Sequence, residues 1–402
     1  MATRTTTTRA TSTGLAPSAD KNGTTEGYAG FLIYPKPHRR IIHVVSVSGG
    51  KDSAATLLIA IDRLGVDNVI AIFCDTGNEH EEVYKYLDYL EQVTGVYILR
   101  LKANFDTQIA EKRTFIANDV RNKRVYDTVA VFDDDGNPVW KRDGFGNIVT
   151  KLNKRKGVVE PVQKRVKIGS GRRLRWTNKA KRRALSVLYP TGNPFLDLCM
   201  WKGRFPSRKA QFCTEELKRN IAVEFQLSLM EQGYTVVSWQ GIRRDESENR
   251  KDAKKFESVG GGLYIYRPIV DNTADQVFEI CRQHGVKPNP LYLQDMSRVG
   301  CMPCVNASKH ELAQIAARFI AHINRIFTWE QLVALCSKRQ AATFMPAPSG
   351  KVVVANKRQY SNDNNIYQVI QWAKTTRGGK QFDLLGPAED LTVCSSAYGL
   401  CE

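Results

Sequence analysis

The stretch SVSGGKDS, Ser46–Ser53, constrains this chain more than any other. Ahead of the glycines, Ile41, Ile42, Val44, Val45 and Val47 form an apolar, β-branched run interrupted by His43 and Ser46, the pattern of a buried strand. Behind them, Ala54, Leu57, Leu58 and Ile61 recur at helical spacing. Ser48–Ser53 therefore turns a strand into a helix. Gly49 and Gly50 allow backbone N–H groups to approach an anion, and the helix beginning near Asp52 offers unpaired donors and its positive end. Ser48, Lys51 and Ser53 add hydroxyls and a charge. The Walker pattern needs Gly where Val45 stands and Ser or Thr where Asp52 stands, and G-x-G-x-x-G is also absent, which excludes both common phosphate loops.

The same alternation continues. NVIAIFCDTG reads as a second strand ending at Asp75, Thr76 and Glu79 as a capping box for the helix EHEEVYKYLDYLEQV, and VYILRL as a third strand. Right-handed crossovers then give an α/β fold with a doubly wound, mostly parallel sheet, and bring Ser48–Ser53 and Asp75–Gly77 together at the strand C-terminal edge. The pattern predicts a Thr-rich tail over 1–38, a nucleotide-binding half over 39–119, a basic insertion over 120–193, a second half with a cysteine site over 194–340, and a mixed C-terminal segment over 341–402. No internal repeat is expected.

The formal charge of +18 is concentrated: Lys151 to Arg183 holds fourteen Lys or Arg against Glu160 alone. Such a stretch suits phosphate contacts, through Arg172, Arg173, Arg175, Lys181, Arg182 and Arg183 with Trp176 among them, so DNA or RNA is an expected partner beside a solvated loop. No apolar run approaches the roughly 18 residues of a membrane span. Nine cysteines without a signal-peptide core point to a reducing, cytoplasmic setting and to metal or redox work.

In VVSWQGIRRDESENR an apolar run ends at Gly241, so Arg243, Arg244 and Arg250, with Glu246 beside them, reach the same sheet edge; Arg208 precedes Cys213 in a similar basic setting. Cys301 and Cys304 form C-x-x-C ahead of a Ser308–Glu311 capping box, and Cys213 precedes Thr214, a good N-cap. Thiols at positive helix ends favour thiolate, and Cys199 completes a set of four suited to an iron-sulfur cluster or a structural zinc. Cys74, Cys281 and Cys336 read as buried apolar residues.

SGGKDS resembles the PP-loop of adenine nucleotide α-hydrolase-like proteins. DTG at Asp75–Gly77, FPSRKAQFCTEELK from Phe205, GIRRDESENR from Gly241, RPIVDNTADQV from Arg267 and PNPLYLQDMSRVGCMPC from Pro288 resemble the phosphoadenosine phosphosulfate (PAPS) reductase branch. The resemblance implies an adenine nucleotide, PAPS or ATP, held by Ser48, Gly49, Gly50, Lys51, Asp52 and Ser53, with Asp75, Thr76 and Gly77 beside ribose and base. It also implies a [4Fe-4S] cluster on Cys199, Cys213, Cys301 and Cys304, as in the iron-dependent reductases and the similar sulfur-insertion proteins of DNA phosphorothioation.

The Glu-Cys-Gly terminus of assimilatory reductases is missing; VCSSAYGLCE instead offers Cys394 and Cys401. Two chemistries follow. In one, Lys51 and Arg243 hold an adenylyl sulfate while Cys401 attacks its sulfur and a reductant thiol protein completes the reduction. In the other, ATP and Mg2+ adenylate a nucleic-acid acceptor that then receives sulfur. A nucleotide-sensing module without catalysis is the third reading.

Overall fold

The computed structural model describes residues 40–120, 124–153, 157–173, 176–345 and 364–375; the Thr-rich tail, Arg175, Cys394 and Cys401 lie outside them. Strand β1 (Ile41–Ser46) leads into helix α1 (Lys51–Leu64), followed by β2 (Val69–Asp75), α2 (Glu81–Thr94), β3 (Ile98–Lys102) and α3 (Asp106–Asn118). Val44 and Val45 are fully buried, as a β-branched run in a central parallel strand should be, and α1 buries Ala54, Leu57 and Leu58 on the face their spacing defines.

The chain then builds a ribbon of β4 (Arg124–Ala130), β5 (Thr150–Asn153), β6 (Val158–Pro161) and β7 (Arg165–Arg173). It returns through α4 (Asn178–Val187), α5 (Pro194–Lys202) and α6 (Phe212–Thr214). A π-helical turn, Glu215–Arg219, joins α6 to α7 (Asn220–Glu231). β8 (Thr235–Trp239), β9 (Phe256–Gly260), β10 (Leu263–Tyr266), α8 (Ala274–Gln283), α9 (Lys309–Arg318), α10 (Ile320–Cys336) and α11 (Ile366–Ala373) follow.

The main sheet runs β3-β2-β1-β8-β10-β9. Every neighbouring pair is parallel except β10 with β9. This is the doubly wound sheet the sequence predicts. Strand order reverses between β1 and β8, where Val45 lies opposite both Ala71 and Trp239, and a ligand crevice opens outside the strand C-termini at such a switch point. The glycine turn after β1 and the Gly241 loop after β8 flank it.

Four local expectations change. Helix α2 starts at Glu81 because His80 Nδ1 takes the Glu82 N–H at 3.0 Å; Thr76 and Glu79 instead close the preceding loop, Thr76 Oγ1 donating to Glu79 Oε1 at 2.7 Å. Thr214 is no N-cap: α6 begins after Gln211 and Thr214 lies inside it. Trp176 is buried in the core with Ala180, Ala184 and Leu188, so α4 belongs to the main body rather than to an insertion. The ribbon also contains a tandem repeat. Asp133, Gly136, Asn137 and Val139 recur ten residues later as Asp143, Gly146, Asn147 and Val149. In each copy the aspartate carboxylate accepts the asparagine N–H, at 2.7 and 2.9 Å. The Ser308–Glu311 capping box forms as expected. Among the described residues no helix is long and apolar enough to cross a membrane.

Candidate active site

The glycine turn is built to leave donors facing the crevice. Ser53 Oγ donates to Gly50 O at 2.9 Å and accepts the Ser48 N–H at 3.0 Å, so the serines brace the loop. Gly49 sits at φ +84°, and a Cβ there would lie 2.9 Å from Val83 Cγ1; conformation and space both require glycine. Asn289 donates to Gly49 O at 3.2 Å, and the Lys51 N–H donates to Tyr292 Oη at 3.1 Å. The loop Pro288–Gln294 thus packs on the turn.

Across the switch point, Gly241 touches α1 directly: a Cβ would stand 2.8 Å from both C and O of Asp52. Beside it, Arg243 Nε donates to the fully buried Asp52 carboxylate at 2.7 Å, while Lys51 Nζ lies 3.2 Å from the other oxygen. Two cations therefore share the buried Asp52 carboxylate, and Arg243 Nη1 also pairs with the half-exposed Asp245. Arg250 pairs with Glu246, both largely buried. Arg244 turns away, to Asp271 and to Ala253 O, and Arg208 is exposed and donates to Ala307 O at 3.3 Å.

Thr76 and Ser48 also line a second space, a cavity of about 40 Å³ walled by Cys213, Cys301 and Cys304 together with Glu79, Lys218 and Arg298. The Cys301 loop is fastened to the loop after β2: Met302 N–H donates to Asn78 O at 2.8 Å, and Asn78 Nδ2 to Pro303 O at 3.1 Å. Cys301 Sγ stands 3.4 Å from Thr76 Oγ1 and 3.6 Å from Glu79 Oε1. Cys199, on α5, is fully buried, outside the cavity lining but close enough to Cys213 to feel its charge. The predicted thiolate bias is reversed for Cys301, which burial and the neighbouring Glu79 push up against the Lys218 ammonium; burial also raises Cys199. Burial likewise raises Glu79. Cys74, Cys281 and Cys336 are buried as expected, Cys74 against this cavity.

Thiols around one cavity suit either a structural zinc or a [4Fe-4S] cluster. Among the described residues, His80, Glu81 and His322 bring their ligand atoms within 4.8 Å of one another. The histidine triplet is itself no metal site. Arg325, a donor only, contacts His322 Nδ1 at 2.8 Å, and Glu82 N–H donates to His80 Nδ1, so the ring protons sit on the Nε2 atoms that a metal at Glu81 would need.

A family profile described as the phosphoadenosine phosphosulfate reductase domain matches residues 42–130 and 197–307. The chain belongs to the phosphoadenosine phosphosulfate reductase family. Its two matched blocks carry the glycine turn and the cysteine cavity; the ribbon's turns and α4 fall between them. The chain is 41% identical over 372 residues to an uncharacterised 37.8 kDa protein of Escherichia phage 186, covering 90% of this chain and 97% of that one. It is 32% identical over 65 residues to the adenosine 5'-phosphosulfate reductase of Salinibacter ruber, 16% of this chain and 26% of that one. A solved PAPS reductase from Candida auris, in complex with phosphate, aligns at TM-score 0.31 and 12% identity over 67% of this chain and 83% of that one.

Several residues of this family member were not singled out by sequence reasoning. Lys218 and Arg298 lie inside the quoted FPSRKAQFCTEELK and SRVGC segments, but their entry into the cavity depends on the π-helical turn and on the Gly300 loop, neither of which has a periodic signature. Asp75 is structural as well as central: its Oδ1 accepts Gly77 N–H and Tyr84 O–H, at 2.8 and 2.7 Å. Of the expected nucleic-acid residues, Arg183 spends its donors on Leu335 O, Ser337 O and Gln340 Oε1 at the end of α10, and Lys181 donates to Ala117 O at 3.0 Å. Arg182 is exposed. The Arg172 and Arg173 side chains, like Arg175, lie outside the described residues.

Proposed function

We propose that the protein reduces an adenylyl sulfate, with the nucleotide phosphates on the glycine turn (the PP-loop of the resemblance) and the sulfonyl group directed toward the cysteine cavity. One observation carries this: Ser48 and Thr76 of the two nucleotide loops line the same cavity as Cys213, Cys301 and Cys304. The Gly49 and Gly50 amides, Lys51 and Arg243 hold phosphate charge and stabilise it as it grows on the leaving oxygen. A cysteine thiolate, Cys401 in this reading, attacks sulfur; the S–O bond to phosphate breaks, giving an S-sulfocysteine and an adenosine phosphate. A second thiol, from a reductant protein, then attacks the cysteine sulfur, releasing sulfite and leaving a disulfide.

Cys213, Cys301 and Cys304 around the cavity, with Cys199 buried beside Cys213, would hold the [4Fe-4S] cluster that the resemblance implies. When bound there, such a cluster would supply electrostatic stabilisation to the site, and Lys218 would balance the thiolates that hold it. The ribbon between the family-matched blocks favours one second reading, an ATP-dependent sulfurtransferase with Mg2+ and a polyanionic acceptor. Incubation with adenosine 5'-phosphosulfate, PAPS or ATP separates the readings: sulfite release from a sulfated nucleotide with a thiol reductant supports reduction, and pyrophosphate release from ATP without sulfite replaces it with transfer.

A further inference from the structure

The ribbon's register sorts its side chains into two unlike faces. Ala130 lies opposite Arg165, and Thr128 opposite Lys167. Further along the same strand, Trp140 bridges Gln163. Opposed residues share a face and alternate residues rejoin it, so Phe132, Trp140, Arg142, Arg165 and Lys167 lie on one side. Tyr126 joins them, with Lys167 Nζ 5.0 Å from its ring centroid. Asp127 and Glu160 fall on the opposite face, and Asp133 and Asp143 are turned into the two repeat loops, where they accept backbone N–H groups. One face therefore carries three aromatics and three cations, with no acid among its described strand residues.

The cations are seated rather than loose. Arg165 Nε donates to Thr128 Oγ1 at 2.9 Å and its Nη2 to Thr128 O at 2.7 Å, while Arg142 Nη1 donates to Gly146 O at 2.7 Å. Arg165 and Lys167 remain exposed, and Phe132 is 57% exposed. Aromatic rings alternating with fixed cations on a sheet face match a chain that presents phosphates at regular intervals and unpaired, stackable bases between them. A duplex hides its base faces and could use the cations alone.

We infer that this face of the ribbon binds single-stranded nucleic acid, through Arg142, Arg165 and Lys167 on phosphates and Tyr126, Phe132 and Trp140 on bases. Arg142, Arg165 and Lys167 are exposed, whereas Lys181 and Arg183 of α4 are half-buried against the main body. The inference does not rest on the proposed reduction, because its test reads binding without turnover.

Fluorescence anisotropy of the full-length protein with labelled single-stranded DNA, single-stranded RNA and duplex DNA of about 20 nucleotides tests it. Single strands are expected to bind at least tenfold more tightly than duplex, and the tighter of DNA and RNA names the source. Arg165→Ala with Lys167→Ala should lower affinity at least fivefold and flatten the salt dependence of log K by about 1.4. Phe132→Ala, at an exposed position that leaves the backbone pairing intact, should lower affinity at least fivefold with the salt slope unchanged. Duplex binding as tight as single-strand binding, no binding at all, or wild-type affinity in both variants would overturn it.

Discussion

Arg243 Nε donates to Asp52 Oδ1 at 2.7 Å, joining the loop after β8 to the first turn of α1 across the switch point, with Asp52 fully buried. The same carboxylate faces Lys51 at 3.2 Å. Asp52 therefore fixes both cations assigned to the anion, and Asp245 pairs with the outer side of Arg243. Replacing Asp52 by alanine removes the buried partner of both cations and leaves Arg243 only the half-exposed Asp245, so Asp52→Ala should cost about 3 kcal/mol in urea unfolding. A loss under about 1 kcal/mol would show that the pair is solvated and does not organise the crevice.

Gly241→Ala tests the packing beneath that pair. The added Cβ meets Asp52 backbone at 2.8 Å, which cannot swing aside as a side-chain tip can. Displacing the start of α1 should weaken nucleotide binding at least tenfold by calorimetry, while circular dichroism stays native and stability falls by about 1–3 kcal/mol. Unchanged binding would place the anion elsewhere.

Glu330 gives a pH prediction remote from the site. Its carboxylate accepts Phe344 N–H at 2.7 Å and Ile366 N–H at 2.9 Å, securing α11, yet burial pushes its pKa up to about 7. A carboxyl raised in the folded state binds its proton more tightly there than in the unfolded chain. Its contribution to stability is therefore fully present below the ordinary value of 4.5 and fades as pH rises through 7. Between pH 4 and 8 the wild-type advantage over Glu330→Gln should shrink by on the order of 3 kcal/mol. A pH-independent difference would show that the carboxyl ionises freely.

Metal loading separates the cysteines. Protein purified without oxygen is expected to be brown, and Cys301→Ser with Cys304→Ser should lose both the colour and the bound iron. Cys281→Ser and Cys336→Ser, at buried sites outside the cavity lining, should keep them. Colourless wild-type protein carrying one zinc would contradict the cluster assignment.

The main sheet was readable because its strands are β-branched runs and its helices keep strict spacing; Val44, Val45, Leu57 and Leu58 are buried where periodicity puts them. Capping was less readable, since Thr76 and Glu79 satisfy each other and leave the cap to His80, a residue with no strong capping preference. The charge run did not by itself say which of its residues face outward, because arginine serves carbonyls as readily as phosphates: Arg183 donates to Ser337 O at the end of α10, while Arg165 and Lys167 are exposed on the ribbon. The ribbon's ten-residue repeat was missed because it retains only Asp, Gly, Asn and Val at four positions while the others vary. Lys218 and Arg298 entered no motif-based site because a π turn and a loop, not a period, carry them to the sulfurs.

The central claim is that the glycine turn and the Arg243 loop grip one adenine nucleotide. Calorimetric titration of intact protein with adenosine 5'-phosphosulfate, PAPS and ATP, repeated on the Lys51→Ala, Arg243→Ala double variant, tests it most directly. The account predicts one site for at least one of these compounds and at least a tenfold loss in the variant. No binding by the intact protein, or equal binding by the variant, would contradict it.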